Sequence, residues 1–520
     1  MNLRELLADA EVAEIAGDGE VEIAGLAYDS RSVEPGTLFF CVPGQRSDGH
    51  EFGPLAVERG AGALVVERLL DLPVTQVRVA DARAAMAAVA VRFWGDPTAK
   101  LRVAGVTGTN GKTTTAFLIR HVLEAHGTQT GLLGTVKRVV GGVEEEVERT
   151  TPEAIDLQET FRRMLDRGDE ACAMEVSSHA LALERTTGVR FAVAVFTNLT
   201  QDHLDFHADM EEYFGAKRAL FLTPAEPAGP TSGKASRGAE AAVVNLDDPY
   251  GARLAAELRD VGNPPLLTFS PRGAEEADFR ALDASFDASG SRFRCLGPGG
   301  EVQVRIPLPG DFNVENALAA IGACHVLGVP AEAAAAALAN AGRVPGRFEP
   351  VDEGQPFAVL VDYAHTPDSL DNSLMAARKL TEGRLIAVFG CGGDRDREKR
   401  PVMGEIAARL ADACVITSDN PRSEEPEAII AEILAGIDGW DHGDARNPAG
   451  GLTARGIDVE PDRRAAIALA FGAAGPGDTV VIAGKGHEQG QEFAGGRKIP
   501  FDDRKVAKEE LRRLRSGSWV

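Results

Sequence analysis

Short apolar runs recur along the chain, each ended by glycine, proline or charge, and many are followed by a stretch with helical spacing. Up to about residue 98 the runs are short and β-like: VEIAGLAYDSR, GTLFFCV and GALVVE. An Asp96-Pro97 step then precedes the strand-like LRVAGVT, and the first domain boundary is placed there. From 101 to about 340, strand patterns (LRVAGVT, ACAMEV, FAVAVFTNL, AAVVNL) alternate with helical ones (KTTTAFLIRHVLEAHG, ENALAAIGACHVLG). This alternation predicts a parallel α/β sheet. A second such unit starts near Arg343, with strands FAVLV (357–361), RLIAVFG (384–390), ACVITS (413–418) and DTVVIAG (478–484). The expected organisation is three α/β domains, 1–98, 99–342 and 343–520. Two segments without hydrophobic periodicity, 224–240 and 439–456, are expected to be surface insertions.

The tails of the strands in the last unit point to a site. They are Asp362-Tyr363-Ala364-His365, Cys391-Gly392-Gly393-Asp394-Arg395, Asp419-Asn420-Pro421-Arg422 and Lys485-Gly486-His487-Glu488. In open α/β sheets ligands bind at the carboxyl ends of the strands, and four successive ends here are charged, polar or glycine-rich.

Composition narrows the partners. A length of 520 residues suits about three domains. A formal net charge of -24 argues against nucleic acid and anionic membrane, both of which need a basic footprint, but not against nucleotides, which are held by local devices. The cysteines form no CxxC pair, and Cys172 and Cys414 sit inside apolar runs as small hydrophobes. The first residues carry acids where a secretory signal would be basic, and no run is long enough to span a membrane. A monomer in a reducing cytoplasm is the expectation.

The strongest motif is TGTNGKTT (107–114), between a strand and a helix. Glycines let the backbone N–H groups turn toward phosphate oxygens, Lys112 adds a charge, and Thr113 offers a hydroxyl to Mg²⁺. The spacing departs from the strict P-loop pattern, whose first glycine would fall at Val106. In AMEVSSH (173–179), Glu175 ends an apolar strand, where a carboxylate must be paired or metal-bound; the two readings stay open. FTNLTQDHLDFH (196–207) gathers Asp202, His203, Asp205 and His207, either as metal ligands or as a solvated turn. Lys217, in YFGAKRALF, reads by itself as a solvated lysine, and Asn313 and Asn316 read as helix N-capping residues.

GVTGTNGKTT, EVSSH, NLTQDHLDFH, the YFGAK lysine, GDFNVENALAA and GRFE (346–349) occur in the order and approximate spacing of the Mur ligase family, which the chain resembles over nearly its whole length. VDYAHTPDSL, VFGCGGDRDREKRP, SDNPR and GKGHE, together with YDSR (28–31) and GQRSDGH (44–50), resemble the branch that adds the third residue to a UDP-N-acetylmuramoyl-dipeptide. The resemblance implies a UDP-binding N-terminal domain, a central P-loop ATPase domain and a C-terminal Rossmann-like domain. It further implies that ATP activates a D-glutamate γ-carboxylate as an acyl phosphate, which the amine of meso-diaminopimelate attacks.

It also assigns residues. Gly108, Thr109, Asn110, Gly111, Lys112, Thr113 and Thr114 would hold the ATP phosphates, with Asn316, Arg347, Asp362 and His365 around the adenosine. Thr113 and Glu175 would bind one Mg²⁺, and His203 with a carbamylated Lys217 a second. Lys112, Lys217 and His203 would be the catalytic set. Ser30, Gln45, Arg46 and Ser47 would meet the uridine diphosphate, and Thr150, Thr151, Ser177 and Arg185 the sugar-peptide. Arg395, Asp419, Asn420, Pro421, Arg422, Gly484 and Glu488 would hold diaminopimelate, with Arg422 gripping the carboxylate that lysine lacks. Arg149 stands where related sequences can have Asn, and Leu183 where a polar contact is sometimes found; both bear on sugar-peptide contacts. Two rival readings are a folylpolyglutamate synthase, which would not need an N-terminal domain of this length, and a nucleotide-gated binding protein without chemistry.

Overall fold

The computed structural model describes residues 1–44, 47–147, 149–222, 238–437 and 456–517. Gln45, Arg46 and most of the two expected insertions (224–237 and 439–455) lie outside the described residues.

Three separate sheets organise the chain. The first contains β1 (Val12–Ala16), β2 (Gly25–Ala27), β3 (Thr37–Phe40), β4 (Ala63–Val66) and β5 (Thr75–Val79), in the order β1-β5-β4-β3-β2. Only β1 is antiparallel to its neighbour. Most of VEIAGLAYDSR is not strand: three residues pair, and Asp29 then caps a 3-10 turn that starts at Ser30. The edge strand β1 and its neighbour β5 are additional to the expected runs; β1 is half exposed, so its apolar signal is weak.

The second sheet has eleven strands. They are β6 (Arg102–Thr107), β7 (Thr130–Leu133), β8 (Arg138–Val140), β9 (Val143–Glu145), β10 (Ala171–Glu175), β11 (Phe191–Phe196), β12 (Ala242–Asn245), β13 (Leu266–Ser270), β14 (Phe279–Asp287), β15 (Gly290–Gly297) and β16 (Gly300–Ile306). The order is β16-β15-β14-β13-β12-β11-β6-β10-β7-β8-β9. The run from β14 to β7 is parallel and antiparallel strands extend both edges. β10 is buried throughout and β6 beyond its first residue, which is why both read as unbroken apolar runs. The β14–β16 meander, half exposed and alternating, left no such run.

The third sheet has the order β17-β18-β22-β19-β20-β21, formed by β17 (Glu349–Pro350), β18 (Ala358–Asp362), β19 (Leu385–Phe389), β20 (Ala413–Ile416), β21 (Ile457–Val459) and β22 (Thr479–Ala483). All but β17 are parallel, so the four polar tails emerge from one end of it. A two-stranded hairpin, β23 (Gly490–Phe493) and β24 (Arg497–Pro500), comes next in the chain. All six cysteines are free and buried.

Contacts tie the three units together near the P-loop. Asn110 Nδ2 donates to Asp368 Oδ2 at 2.7 Å, and Arg347 Nη2 to Thr113 Oγ1 at 2.9 Å. On the other side, Tyr28 OH donates to Asp156 Oδ2 at 2.8 Å, and Arg83 pairs with Glu153 at 2.9 Å.

Candidate active site

The P-loop leaves β6 and turns into the helix Lys112–Ala125. Two of its glycines are required by close approach. Gly108 has φ +150 and Gly111 φ +85, and a Cβ at either would lie 1.9 Å from Thr197 Oγ1 or 2.4 Å from Asn316 Oδ1. Lys112 Nζ donates to the carbonyls of Gly108 (2.9 Å) and Thr109 (2.7 Å). Burial lowers the Lys112 pKa, while Glu175 and Asp202 pull the other way. Asn198 Oδ1 accepts from Asn110 N at 2.9 Å, and Tyr213 OH lies 3.1 Å from Thr109 Oγ1.

Glu175 is paired, as one of its two readings requires. Its carboxylate accepts from Thr113 Oγ1 (2.9 Å), Thr135 N (2.7 Å) and Thr135 Oγ1 (3.0 Å). A hydroxyl and a carboxylate held side by side at the phosphate loop are the hard oxygen donors that Mg²⁺ prefers, so these residues fit that ion. Among the described residues no group of three His, Cys, Asp or Glu side chains forms a ready metal cluster. A cation here would draw its other ligands from phosphate and water.

Lys217 is not solvated. It sits on the helix Met210–Arg218 at 1% exposure, its Nζ donating to Gly108 O at 2.8 Å and lying 4.7 Å from the Tyr213 ring centre. Burial, then the Lys112 charge, drives its pKa well below the ordinary lysine value. A buried neutral amine is the form that reacts with CO₂, so the environment suits a carbamate. Burial also lowers His203 to about 3, keeping its imidazole neutral and able to ligate. Burial opposes ionisation of Asp202, but His203, His365 and Lys399 outweigh it and hold the carboxyl far below its usual range.

Asn313 and Asn316 do not cap their helix. Gly310 occupies the cap position of Asp311–Val326 without a side-chain bond. Asn316 instead accepts from Thr115 Oγ1 at 3.2 Å and donates to Asn313, which bonds Pro309 O at 2.9 Å; the asparagines brace the P-loop helix. Asp362 is also engaged, accepting from Phe348 N (2.6 Å), Ala364 N (3.0 Å) and Ser373 Oγ (2.7 Å). Arg347 stacks 4.3 Å over the Tyr363 ring, and its buried Nη1 has no hydrogen-bond partner among the described residues. That orphaned guanidinium nitrogen beside Thr113 is suited to an anionic oxygen.

One cavity of about 580 Å³ joins most of these groups. It is lined by the P-loop from Thr109 to Thr114, by Thr150, Thr151, Glu175, Ser177, Arg185, His203 and Lys217, and by Asn316, Arg347, Asp362 and His365. Arg185 lies 2.9 Å from Glu153, which also pairs with Arg83 and Arg149. Arg149 lines the cavity too, whereas Leu183 does not. Thr151 Oγ1 bridges Glu175 O and Ser177 N. Gly108 does not line it, but its carbonyl accepts from Lys112 and Lys217, which do.

Two expected groups are not in that cavity. Ser30 is buried in its 3-10 turn and Ser47 is exposed, in the first domain. The diaminopimelate set forms its own cluster at the tails of β19, β20 and β22. There Lys485, fully buried, donates to Asn420 Oδ1 (2.8 Å), Glu488 Oε2 (2.9 Å) and Asp419 Oδ1 (3.3 Å). Arg463 pairs with Asp503 at 2.8 Å and donates to the carbonyls of Ser418 and Ala483, which precede Asp419 and Gly484. Gly484, at φ +119, passes so near Asp419 that a Cβ would sit 3.0 Å from Oδ2. Arg422 reaches Glu492, and Pro421 offers its carbonyl to Glu424 N. Among the described residues Arg395 bonds its neighbour's carbonyl, that of Asp394, and lies 4.0 Å from Asp205. Lys485 stands in one of the strand tails that mark a site, but its pattern assigns it no role. Asn198, Thr135, Glu315 and Asp368 are further cavity residues without an assigned role; Asn198 closely follows a strand and could have been found, whereas Thr135 and Asp368 carry no such signal.

Family comparison settles the class. The Mur ligase middle domain matches residues 106–324, the Mur ligase glutamate ligase domain 346–486, and the Mur ligase family catalytic domain 22–94. The chain belongs to the Mur ligase family. Among curated relatives, UDP-N-acetylmuramoyl-L-alanyl-D-glutamate–2,6-diaminopimelate ligase from Gloeobacter violaceus is 48% identical over 520 residues, covering 99% of each chain. The ligase of the same name from Streptomyces coelicolor is 47% identical over 514 residues, covering 98% of this chain and 96% of its own. A solved structure of a ligase with that name superposes with TM-score 0.67 at 31% identity, covering 99% of both chains. A folylpolyglutamate synthase from Mycobacterium tuberculosis shares the fold at TM-score 0.58 and 17% identity, but covers 84% of this chain.

Proposed function

We propose that this chain is an ATP-dependent, ADP-forming ligase that joins meso-2,6-diaminopimelate to the D-glutamate γ-carboxylate of UDP-N-acetylmuramoyl-L-alanyl-D-glutamate, for peptidoglycan precursor synthesis. The observation that carries this reading is the end-to-end match, at 47 and 48% identity, to relatives named for that reaction. The joined cavity supports it, because phosphate-binding and sugar-peptide residues line one volume.

In this reading a γ-carboxylate oxygen attacks the terminal phosphorus of ATP, and ADP leaves. The diaminopimelate nitrogen then attacks the acyl carbon, inorganic phosphate departs with the C–O electron pair, and the nitrogen loses a proton. Lys112, the P-loop N–H groups and Arg347 hold phosphate charge; Thr150, Thr151, Ser177 and Arg185 orient the peptide. Asn316, Asp362 and His365 shape the adenosine side, although Asp362 acts there through the backbone it fixes. Ser30, Gln45, Arg46 and Ser47 take the uridine diphosphate. Thr113 and Glu175 would hold one Mg²⁺, with His203 and carbamylated Lys217 beside a second. Bound magnesium supplies neutralisation of the phosphoryl charge. The divisions 1–98, 99–342 and 343–520 are then the UDP, ATP and amino-acid units. The enzyme works as a cytoplasmic monomer; among the described residues no helix is long and apolar enough to cross a membrane.

The test is phosphate release with each substrate omitted in turn. Release should require ATP, the muramoyl-dipeptide and diaminopimelate together. Release that ignores the muramoyl-dipeptide, or prefers a folate, would overturn the reading.

A further inference from the structure

Arg422 is held in place before any substrate arrives. Its backbone lies in the left-handed region at φ +52, which a β-carbon residue adopts only when its surroundings impose it. Those surroundings are two other chain segments. Nη1 donates to Gly393 O at 2.7 Å, and the guanidinium passes so close to Gly392 that a Cβ there would lie 3.0 Å from Nη1. Nε donates to Glu492 Oε2 at 3.0 Å. Glu492 belongs to β23, and β23 is laced to the β20 tail at successive positions. Gln491 Nε2 donates to Ser418 Oγ (3.2 Å), Glu492 N to Asn420 Oδ1 (3.0 Å) and Arg422 N to Glu492 O (3.0 Å). Arg422 Nη2 makes no hydrogen bond among the described residues. The fork is thus anchored by Nε and Nη1, and its Nη2 end is left to a ligand.

We infer that Glu492, carried by the β23–β24 hairpin, is a positioning residue that sets amino-acid selectivity by aiming the Arg422 guanidinium at the substrate's distal carboxylate. This rests on the reading that Arg422 meets diaminopimelate. A carboxylate anchored on one edge of a planar fork fixes the plane of the other edge, which bidentate recognition requires. Glu492 is 44% exposed, so replacing it removes a tether and not a core contact.

The experiment is kcat/KM for meso-diaminopimelate and for L-lysine in the parent enzyme, Glu492→Ala, Glu492→Gln, Arg422→Ala and the Glu492→Ala/Arg422→Ala double variant. Glu492→Ala should lower kcat/KM for diaminopimelate roughly 10- to 100-fold, mainly through KM, with little change for lysine. Glu492→Gln, which keeps an acceptor oxygen, should restore part of the loss. In the Arg422→Ala background, Glu492→Ala should add nothing, because its effect passes through the missing guanidinium. Equal losses for both amino acids, or additive losses in the double variant, would mean a merely structural role and overturn the proposal. So would a Glu492→Ala enzyme with parental or improved use of diaminopimelate, which would make Glu492 a bystander or a competitor. If Arg422→Ala itself used diaminopimelate normally, the underlying assignment of Arg422 would fall instead.

Discussion

Lys112 and Lys217, more than a hundred residues apart, donate to one acceptor, the Gly108 carbonyl oxygen, at 2.9 and 2.8 Å. Two ammonium groups converging on one neutral oxygen is an unfavourable arrangement unless one is discharged or anions bind nearby. The structure resolves it on the Lys217 side, whose pKa falls well below normal. In the proposed reading this leaves Lys112 as the cation for phosphate and Lys217 as a neutral amine open to carbamylation.

Lys112→Ala should therefore lose at least about a hundredfold in kcat, since it removes a preorganised charge at the reacting phosphate. It leaves no buried acceptor stranded beyond two loop carbonyls, so thermal stability should change little. Phosphate release near the parental rate would refute the role given to Lys112.

After burial, the nearby Lys112 charge does most to lower the Lys217 pKa. Lys112→Ala should leave more Lys217 protonated at neutral pH and so reduce its reaction with CO₂. ¹³C-labelled bicarbonate and carbamate NMR would read this directly. Lys217→Ala should be nearly inactive and partly restored by a short carboxylic acid such as formate. A plain amine at Lys217 in active, nucleotide-bound enzyme would defeat the carbamate assignment.

How much of this was legible in the sequence depends on burial. Parallel strands buried throughout, such as β10 and β22, or beyond the first residue, as β6, read as continuous apolar runs, and the residues after them were found because the chain must emerge there. β1 and the β14–β16 meander, half exposed, gave no clear period. Among site residues the P-loop and Glu175 were visible, since each is costly where it stands unless it works. Lys217 was invisible locally: nothing in YFGAKRALF says that its helix turns it under Gly108, and only resemblance marked it. Asn313 and Asn316 misled because asparagine at a helix start usually caps, whereas here Gly310 holds the cap position, Asn316 reaches Thr115 and Asn313 supports it locally. Lys485 was placed at a site by its strand tail but given no role, because nothing local says that three oxygens of Asp419, Asn420 and Glu488 enclose it.

His487 makes the stability depend on pH. It is 9% exposed against the Tyr363 ring, and burial, reinforced by Arg347 and Arg504, lowers its pKa to about 3. The folded imidazole stays neutral while the unfolded one takes a proton near its ordinary value. Between those values the unfolded state binds the extra proton, so stability falls as pH drops from about 6.5 toward 3. His487→Gln should make that fall shallower by up to about 1.4 kcal/mol per pH unit, with no difference above pH 8. An unchanged slope in urea-unfolding series from pH 8 to 4 would show that His487 is already charged in the fold.

Burial by itself would raise the Asp419 pKa, but Lys485 and Arg463 outweigh it and the carboxyl is held below its usual value. Removing the lysine cation leaves Asp419 and Glu488 without the cation they hydrogen-bond, and breaking a buried pair on one side costs about 3–5 kcal/mol. Arg463 cannot take over, because its fork is already committed to Asp503 and to the Ser418 and Ala483 carbonyls. Lys485→Met should thus lower the opening free energy of β20 and β22 by about that amount in native-state hydrogen exchange, while the P-loop helix keeps its protection. Lys485→Met/Asp419→Asn should recover part of the loss, since the second change removes the stranded charge. If the two changes destabilise additively, or if Lys485→Met exchanges like the parent, the lysine is not what holds these carboxylates together.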